Sequence, residues 1–224
     1  STTTVGSMMR AWNQLAAKKK LTIPVSALCC YPTDPGFVGA VTQSVTDAMA
    51  ALPEGAPFRV LFSAHGLPKK IVTAGDPYQR QVEQSTAAVV AALDREVDWV
   101  NCYQSRVGPL EWIGPATEDE ITRAGADGMN IILVPIAFVS EHSETLVELD
   151  IEYREIADQS GVTHYLRTPT VGIAPEFIDG LALLVHENIT ADCDICSATG
   201  ARICSAEWSK CPALAASPTI AKAL

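Results

Sequence analysis

Residues 58–64 read Phe58-Arg59-Val60-Leu61-Phe62-Ser63-Ala64, and this short apolar run decides the fold class. Its length and apolar character are typical of a strand that is buried within a sheet. Upstream, apolar side chains recur at helical spacing from Phe37 to Leu52. Downstream, Asp76-Pro77 opens a second predicted helix that runs to about Leu93, with Asp as the cap and Pro at the first helical position. The run is therefore predicted to be a strand between two helices.

The same alternation continues along the chain to about residue 190. Further strands are predicted at Val97–Tyr103, Asn130–Pro135 and His164–Arg167. Further helices are predicted in three places: after a capping box formed by Thr117 and Glu120, over Leu146–Ile156, and over Pro175–Ile189. Alternating elements with near-continuous apolar strands favour an α/β fold, in which helices flank both faces of a parallel sheet.

The composition excludes several classes of protein. Of 224 residues, 48% are hydrophobic and 19% are charged, which excludes a disordered or fibrous chain. The formal charge of -10 repels phosphate backbones, so no nucleic-acid partner is expected. The longest apolar stretch, Ile131–Val139, is interrupted by Pro135 and is far shorter than the ~20 residues of a membrane-spanning helix, so no transmembrane segment is expected.

The two ends of the chain differ from its middle. The chain opens with Ser1-Thr2-Thr3-Thr4 and without an initiator Met, so we expect it to be a segment of a longer protein. Residues 1–190 form one predicted lobe, whereas residues 191–224 are rich in Cys, Ser and Ala and lack periodicity. Most of the seven cysteines fall in that tail, which indicates a reducing compartment and a local Cys-ligated centre in a small C-terminal appendage.

Polar residues follow three of the predicted strands. In a parallel sheet the carboxyl ends of the strands share one edge, and ligands bind beyond it. The strand exits are Ser63-Ala64-His65-Gly66-Leu67-Pro68, Gln104-Ser105-Arg106 and Ser140-Glu141-His142-Ser143-Glu144. His65 and His142 should therefore face a common cleft. From the residues alone, His65 is either a turn residue or a proton acceptor or metal ligand, since imidazole titrates near neutral pH.

A row of acids begins beside His142. Glu144, Glu148 and Glu152 are four residues apart, which places them on one stripe of the predicted helix. The stripe is either a solvated acidic face or a row of carboxylates that holds a divalent cation or passes protons. Trp112, in a loop bracketed by Gly-Pro pairs, is either a loop anchor or a wall for a flat ligand.

The tail carries the pattern Cys193-x2-Cys196-x7-Cys204-x6-Cys211. These thiolates suffice for a 2Fe-2S cluster or for a structural zinc ion, and free thiols are a third interpretation. A zinc ribbon more often has two short Cys-x2-Cys pairs, and the tail has one, so the spacing does not choose the metal. The adjacent Cys29 and Cys30, at the end of an apolar run, are predicted to be packing residues.

Four segments, read together, form a dense and ordered pattern. They are Leu61-Phe62-Ser63-Ala64-His65-Gly66-Leu67-Pro68, Gly75-Asp76-Pro77-Tyr78, Gln104-Ser105-Arg106-Val107-Gly108-Pro109 and the run from Val134 to Asp150. This pattern resembles the ferrochelatases, and the resemblance spans essentially the whole chain. It implies a Rossmann-like lobe of the chelatase type, with the N-terminal lobe of the family outside this sequence. On that ground the segment alone is expected to chelate metal weakly.

The resemblance implies insertion of Fe(II) into protoporphyrin IX to give protohaem, the last step of haem synthesis. His65 matches the family's cleft histidine, the proton acceptor or metal donor, and His142 and Glu144 match its partners. Glu148 and Glu152 match the continuation of the acidic stripe, as a proton or metal relay. The positions beside the porphyrin match Trp112, Phe138, Ser63 and Gln104, and the donors to the iron substrate match His65 and Glu144.

The tail resembles that of ferrochelatases with a 2Fe-2S cluster. In animal members the fourth ligand lies upstream, in the segment that matches Ser1-Thr2-Thr3-Thr4, which has no Cys here. The resemblance therefore implies that all the ligands come from the tail, namely Cys193, Cys196, Cys204 and Cys211, with a stabilising or sensing role. It also implies a cytoplasmic bacterial protein, and it leaves a peripheral membrane contact and a homodimer open.

Two rival functions remain open. A related chelatase would act on another tetrapyrrole, as cobalt or sirohydrochlorin enzymes do, although those usually place their metal-binding histidines differently. A non-catalytic module would use the Cys tail to hold a metal such as zinc, with the sheet as a scaffold. A visible spectrum of protein purified without oxygen separates the family interpretation from this second rival, because a cluster is coloured and zinc is not.

Overall fold

The structure, a computed structural model, describes residues 1–23, 25–190, 195–197 and 202–214. The α-helices are α1 (Val5–Lys19), α2 (Pro35–Ala51), α3 (Lys69–Thr73), α4 (Tyr78–Ala92), α5 (Thr117–Ala126), α6 (Tyr153–Gln159) and α7 (Pro175–Thr190). The strands are β1 (Ala27–Cys30), β2 (Phe58–His65), β3 (Asp98–Gln104), β4 (Asn130–Pro135), β5 (Tyr165–Arg167) and β6 (Ile195–Ser197). A π-helix (Glu144–Glu152) precedes α6, and a 3₁₀ turn covers Pro212–Leu214.

A parallel sheet with strand order β3-β2-β4-β5 forms the centre of the fold. The chain runs from β2 through α4 to β3, and then from β3 through α5 to β4 on the other side of β2. This arrangement confirms the predicted α/β fold with a helix-flanked parallel sheet. Because the connections depart in opposite directions from β2, its carboxyl end is the point of this sheet at which ligands are expected to bind.

Both faces of the sheet are buried against helices. Alternate side chains of a strand point to opposite faces. On one face, Val60 and Phe62 of β2 pack in an apolar cluster with side chains from α2, α4 and α7. On the other face, Leu61 of β2 and Leu133 of β4 pack with side chains from α5, the π-helix and α6. This two-sided burial, worth roughly 1.5–3 kcal/mol for each large apolar side chain, explains why β2 and β4 are continuously apolar.

Aspartate side chains cap the starts of two helices, α2 and α4. Asp34 caps α2, since its Oδ1 accepts a hydrogen bond from the Phe37 amide at 2.9 Å. Asp76 likewise accepts from the Tyr78 amide at 2.9 Å, as predicted for the start of α4. The capping box predicted at Thr117 is wrong, because the Thr117 hydroxyl contacts Ser63 instead of a helix amide.

The segment after β4 differs in type from the predicted α-helix over Leu146–Ile156. Its first part, Glu144–Glu152, is a π-helix, and only the part from Tyr153 onward is α-helical. A π-helix closes hydrogen bonds five residues apart, and such segments are rare and often lie at functional sites. The wider turn means that Glu144 and Glu148 do not share the single stripe that an α-helix would give them.

The tail contacts the main body through a small second sheet. Strands β1 and β6 pair in parallel, with Ala27 opposite Ile195. Near the end of the described chain, the Lys210 amide donates to the Gly75 carbonyl at 3.1 Å. Gly75 has a φ of 99°, and a Cβ atom there would lie 2.9 Å from the Ser209 backbone nitrogen, so this contact requires glycine.

The predicted boundary between residues 1–190 and 191–224 stays a prediction. None of the described helices is long and apolar enough to cross a membrane.

Candidate active site

The carboxyl ends of β2, β3 and β4 meet at one edge of the sheet. His65 ends β2 and lies in register with Gln104, the last residue of β3. On the other side, Ser63 of β2 lies in register with Pro135, the last residue of β4. The chain beyond Pro135 then leads to His142 and the π-helix. The strand exits that the sequence singled out are therefore neighbours in space.

His65 and Glu144 form a direct pair at this edge. The Nδ1 atom of His65 lies 2.9 Å from Oε2 of Glu144, and the two side chains are 41% and 38% exposed. An ionised carboxylate can only accept hydrogen bonds, so Nδ1 carries the hydrogen atom and donates the hydrogen bond to Glu144. This tautomer leaves the Nε2 atom of His65 with a lone pair, which is the electronic state that a base or a metal donor needs.

A half-buried tyrosine holds the backbone of His65. The Tyr78 hydroxyl donates to the His65 carbonyl oxygen at 2.9 Å. Burial, together with the nearby carboxylates of Glu144 and Asp76, raises the pKa of Tyr78, so the phenol keeps its proton and remains a donor. Sequence reasoning missed this residue, because its partner is a backbone atom on a different element.

His142 supports the start of the π-helix. Its Nδ1 atom accepts a hydrogen bond from the Glu144 amide at 3.1 Å, and its own amide donates to the Thr145 hydroxyl at 3.0 Å. Since Nδ1 is an acceptor, neutral His142 carries its proton on Nε2. The Phe138 ring, half-buried, lies 4.9 Å from the His142 ring between centroids.

Glu148 points away from Glu144 and into a dense set of donors. Its carboxylate accepts from the Ser105 amide at 2.7 Å and from the Ser105 hydroxyl at 2.6 Å. It also accepts from the Gln104 amide group at 3.2 Å and from the Tyr153 hydroxyl at 3.0 Å. Ser105 has a φ of 58°, a left-handed conformation that a non-glycine residue rarely adopts. The carboxylate of Glu148 thus compensates for a strained backbone at the end of β3.

The predicted porphyrin contacts Ser63 and Gln104 are fully buried below this edge. The Ser63 hydroxyl donates to Oε1 of Gln104 at 2.9 Å and lies 2.9 Å from the Thr117 hydroxyl. Gln104 in turn donates to Glu148. Neither side chain has exposed surface. The pair is therefore connected to the site at the carboxyl edge of the sheet through the hydrogen bond from Gln104 to Glu148.

Glu152 and Trp112 occupy the periphery of the site. Glu152 is exposed at the end of the π-helix. Trp112 is half-buried, and its backbone forms an isolated antiparallel β-bridge with Pro68, in the segment that follows His65. Gly66 permits this approach, since a Cβ atom there would lie 3.3 Å from the Trp112 ring and 2.9 Å from the Gln104 carbonyl oxygen. The indole nitrogen of Trp112 is buried without a hydrogen-bond partner among the described residues.

An ion-pair network fixes the chain on both sides of His142. Arg167 contacts Asp150 of the π-helix at 2.6 Å and Glu141 at 2.7 Å, and its side chain is only 10% exposed. The hydrogen bonds that Arg167 donates to Asp150 raise the pKa of Arg167, so the guanidinium stays charged. Sequence reasoning missed this residue as well, because β5 is short and its only predicted feature was a strand.

The pKa of Glu141 reflects this network. Burial alone would raise the pKa of its carboxyl group. Hydrogen bonds from Thr145, the Thr170 backbone and Arg167 outweigh burial and lower it. A carboxyl group whose pKa falls on folding stabilises the protein above its unfolded pKa, about 4.3, and loses that contribution as the pH drops through the folded pKa.

Replacing Glu141 with Gln should therefore destabilise the protein in a pH-dependent way. At pH 7 we expect the free energy of unfolding to fall by about 1 kcal/mol, a value that allows for the partial exposure of the pair. At pH 3, below the unfolded pKa of about 4.3, the difference from the wild type should shrink, because the contribution of the lowered folded pKa is then being lost. Urea unfolding at the two pH values measures this, and equal losses at both would contradict it.

The tail cysteines are only partly described. Cys193 lies outside the described residues, and Cys196 is described as part of β6 without its side chain. Burial, followed by a hydrogen bond with Cys211, raises the pKa of Cys204 to about 11. Within the described ranges, no three His, Cys, Asp or Glu side chains are arranged to hold a metal ion. The metal centre predicted for the tail stays a prediction.

Comparisons with known proteins match this chain to one protein family. The family model described as ferrochelatase matches residues 1–189. A curated ferrochelatase from Caulobacter vibrioides is 50% identical over 213 residues, which are 95% of this chain and 60% of the relative. One from Pelagibacter ubique is 48% identical over 186 residues, which are 83% of this chain and 53% of the relative. The chain thus spans about 60% of the length of the first of these relatives.

A solved structure shares the fold. The structure named as SirB from Bacillus subtilis with Fe3+ matches with a TM-score of 0.62 and 14% sequence identity. The match covers 85% of this chain and 68% of that chain. At this identity the likeness concerns the fold alone, a helix-flanked parallel sheet of the chelatase type.

Proposed function

The chain belongs to the ferrochelatase family, and on that premise we propose that its protein inserts Fe(II) into protoporphyrin IX to form protohaem, the last step of haem biosynthesis. The single observation that carries this proposal is the His65–Glu144 pair at the carboxyl end of β2. The pair unites a base, a carboxylate and solvent access at the place where this fold binds ligands. Those are the groups that metal insertion into a porphyrin needs.

The reaction replaces two protons by one ferrous ion. Both pyrrole N–H bonds of the porphyrin break, both protons leave, and no electron is transferred. We assign proton acceptance to the Nε2 atom of His65, because Nδ1 is already engaged with Glu144. Nε2 takes the two protons one after the other and releases each to solvent, since the side chain is 41% exposed. As the imidazole becomes cationic, the carboxylate 2.9 Å away stabilises it. Glu144 therefore holds the ring of His65 in one orientation.

The same two residues are the proposed donors to the iron substrate. Imidazole nitrogen and carboxylate oxygen both bind first-row divalent metals. His65 offers Nε2, and Glu144 has a second oxygen, Oε1, beyond the one that faces His65. Proton acceptance and metal donation use the same lone pair of His65, so they must follow one another. His142 orients Glu144 through its bond to the Glu144 amide, which makes it a positioning residue.

The other two acids have separate roles in this proposal. Glu148 is a positioning residue, because its carboxylate is occupied by donors from Ser105, Gln104 and Tyr153. Ser63 and Gln104 support it from below rather than touching porphyrin. Glu152, exposed at the far end of the π-helix, is proposed to meet the hydrated ferrous ion and pass it toward Glu144. In this proposal Glu152 keeps the relay role predicted from the sequence, and Glu148 does not.

Two aromatic residues are the proposed walls for the macrocycle. Trp112 lies against the segment after His65, and Phe138 lies against His142. An aromatic ring on each of these two segments favours a flat tetrapyrrole by stacking and by apolar burial.

Replacing Trp112 with Ala is expected to weaken porphyrin binding about tenfold, because an aromatic contact of this kind contributes about 0.5–1.5 kcal/mol beyond its buried area. Trp112→Phe keeps the ring and should retain most of the affinity. Titration of protoporphyrin into the full-length protein, followed by fluorescence quenching, measures both. Wild-type affinity in the Ala variant would remove Trp112 from the porphyrin site.

For the tail we propose a 2Fe-2S cluster, with Cys193, Cys196, Cys204 and Cys211 as the ligands and zinc as the alternative. The donor chemistry fits, since the Cys204 and Cys211 thiols are neighbours and Cys211 is buried. Such a cluster would supply no step of the chelation reaction, so its role is stabilising or sensing. The visible spectrum of protein purified without oxygen tests it: cluster bands support the proposal, and a colourless zinc protein contradicts it.

The cellular compartment and the assembly state are proposed from the family. We propose a cytoplasmic bacterial enzyme, in agreement with the free thiols of Cys29, Cys30, Cys102, Cys204 and Cys211. A peripheral membrane contact and a homodimer are further proposals that rest on the family alone.

The decisive experiment is a metal-insertion assay with the full-length protein. Protoporphyrin IX and Fe(II), supplied without oxygen, should give protohaem, detected by its absorption bands. Sirohydrochlorin with Fe(II) or Co(II) is the matched rival substrate. Turnover of the rival alone would replace the proposed function with that of another tetrapyrrole chelatase, and turnover of neither would favour a non-catalytic module.

A further inference from the structure

The carbonyl group of His65 lies just beyond the paired part of β2. On the β4 side the last pair is Ser63 with Pro135, and the Ser63 carbonyl accepts from the Ile136 amide at 3.0 Å. Backbone groups two residues apart in a strand point to the same side, so the His65 carbonyl points past the end of β4. The Tyr78 hydroxyl, 2.9 Å from this carbonyl oxygen, takes the place of a strand amide there.

The peptide group between His65 and Gly66 is held at both ends. Its carbonyl oxygen accepts from the Tyr78 hydroxyl, and its amide donates to the Gln104 carbonyl at 2.8 Å. Gly66 has no side chain that would restrict the backbone, so these two hydrogen bonds orient the peptide plane. Because the backbone angles of a residue decide which side-chain rotamers it can adopt, the Tyr78 hydroxyl helps to aim the His65 ring at Glu144.

The position of Tyr78 depends in turn on Asp76. The Oδ1 atom of Asp76 accepts from the Tyr78 amide at 2.9 Å, at the start of α4. The Oδ2 atom accepts from the Thr2 amide and the Thr2 hydroxyl, both at 2.6 Å, and from the Ser1 hydroxyl at 3.0 Å. The carboxylate therefore ties the start of α4 to residues that are far from it in sequence.

Helix capping alone does not explain this aspartate. Asp34 caps α2 with one described side-chain hydrogen bond, from the Phe37 amide. Asp76 uses both oxygens and has no exposed surface, and a buried carboxylate is costly unless its oxygens are hydrogen-bonded. Burial alone would raise the pKa of Asp76, but hydrogen bonds from Thr2 and Tyr78 outweigh it and lower the pKa. The charged group thus fixes two segments, which a helix cap does not require.

We propose that Asp76 and Tyr78 are positioning residues of the active site. The Asp76 carboxylate fixes the start of α4, and the Tyr78 hydroxyl at that point holds the His65 carbonyl so that the imidazole faces its carboxylate partner. The inference rests on the function proposed above, since it names the residues that prepare the proposed proton acceptor. Both residues act through His65, so their loss should slow the chemical step and leave porphyrin binding in place.

The first test removes only the hydroxyl of Tyr78. Tyr78→Phe keeps the ring, which packs against the apolar core. In the full-length protein we expect kcat for iron insertion to fall about tenfold, roughly the effect of one hydrogen bond. The KM for protoporphyrin should change less than about twofold. Tyr103→Phe, the matched control, removes a buried hydroxyl that has no hydrogen-bond partner among the described residues, and it should keep the wild-type kcat. A similar kcat in the two variants would overturn the inference.

The second test changes the number of acceptor oxygens at residue 76. Asp76→Asn keeps the shape of the side chain, but an amide has one acceptor oxygen where the Tyr78 amide and Thr2 require two. We expect kcat to fall at least about fivefold. Asp34→Asn is the control, because one oxygen suffices there to accept from the Phe37 amide, and it should keep the wild-type kcat. Equal kcat values in the two Asn variants would show that Asp76 is not a positioning residue.

A third measurement reads the His65 ring without turnover and without the Asp76 variant. The ¹⁵N NMR signals of the histidine side chains report the tautomer of each ring, and the His65→Ala variant identifies the signals of His65. The wild type should carry the proton on Nδ1, as the hydrogen bond to Glu144 requires. In Tyr78→Phe the form protonated on Nε2 should appear as well. An unchanged tautomer in that variant would overturn the inference, whereas a wild type that forms no protohaem would overturn the proposed function.

Discussion

The Ala variant of His65 is expected to lose iron insertion by about 10²- to 10⁴-fold, the usual contribution of one positioned acid–base group. The loss should appear in kcat, because Ala removes the Nε2 acceptor while the aromatic walls of the porphyrin site remain. The Glu144 carboxylate would also lose the partner that lies 2.9 Å away. The assay is protohaem formation by full-length protein with protoporphyrin IX and Fe(II).

Two measurements make this result specific. His164→Ala is a matched control, since His164 precedes β5 and its described hydrogen bonds, with the Asn130 side chain and the Ile131 amide, use its backbone atoms. It should keep near-wild-type turnover. Porphyrin affinity of the His65 variant, followed by fluorescence quenching, should change less than fivefold. If the His65 variant kept turnover within threefold of the wild type, the proposed proton acceptor would have to be another group.

Replacement of Glu148 by Ala should lower the free energy of unfolding by about 3 kcal/mol. Each hydrogen bond to a charged group contributes about 1.5–3 kcal/mol, and part of the loss is recovered by water at this half-buried site. The variant leaves the Ser105 amide and the Tyr153 hydroxyl without their acceptor. It also removes the carboxylate that holds Ser105 at a φ of 58°. Urea unfolding at pH 7 measures the change.

Glu152→Ala is the control on the same π-helix. Glu152 is exposed, so its removal should change the free energy of unfolding by less than about 0.5 kcal/mol. In the insertion assay this variant should raise the Fe(II) concentration needed for half-maximal rate a few-fold, with little change in kcat. Equal stability losses in the two variants would show that Glu148 is not a positioning residue.

The fold class followed from the sequence because strand burial leaves a local signature. The runs at 58–64 and 130–135 are apolar on both alternating faces, and the structure makes them β2 and β4 at the centre of a parallel sheet. The convergence of His65 and His142 followed in turn from topology, since parallel strands share their carboxyl edge. The family resemblance added the expected role of each of these residues.

The details that the sequence missed are long-range or conformational. An α-helix and a π-helix have the same apolar pattern over a few turns, so the turn type at Glu144–Glu152 was not predictable. That turn type separates Glu144, which faces His65, from Glu148, which faces Ser105. The positive φ of Ser105 likewise carries no signal in a residue that is not glycine.

The sequence by itself thus determined which residues end the strands and what chemistry they bring, because both properties are local. Tertiary structure alone decided which parts of the chain touch: Glu144 with His65, Gln104 with Glu148, and strand β1 with strand β6. Hydrogen bonds act over about 3 Å, and only the folded chain sets such distances between residues far apart in sequence.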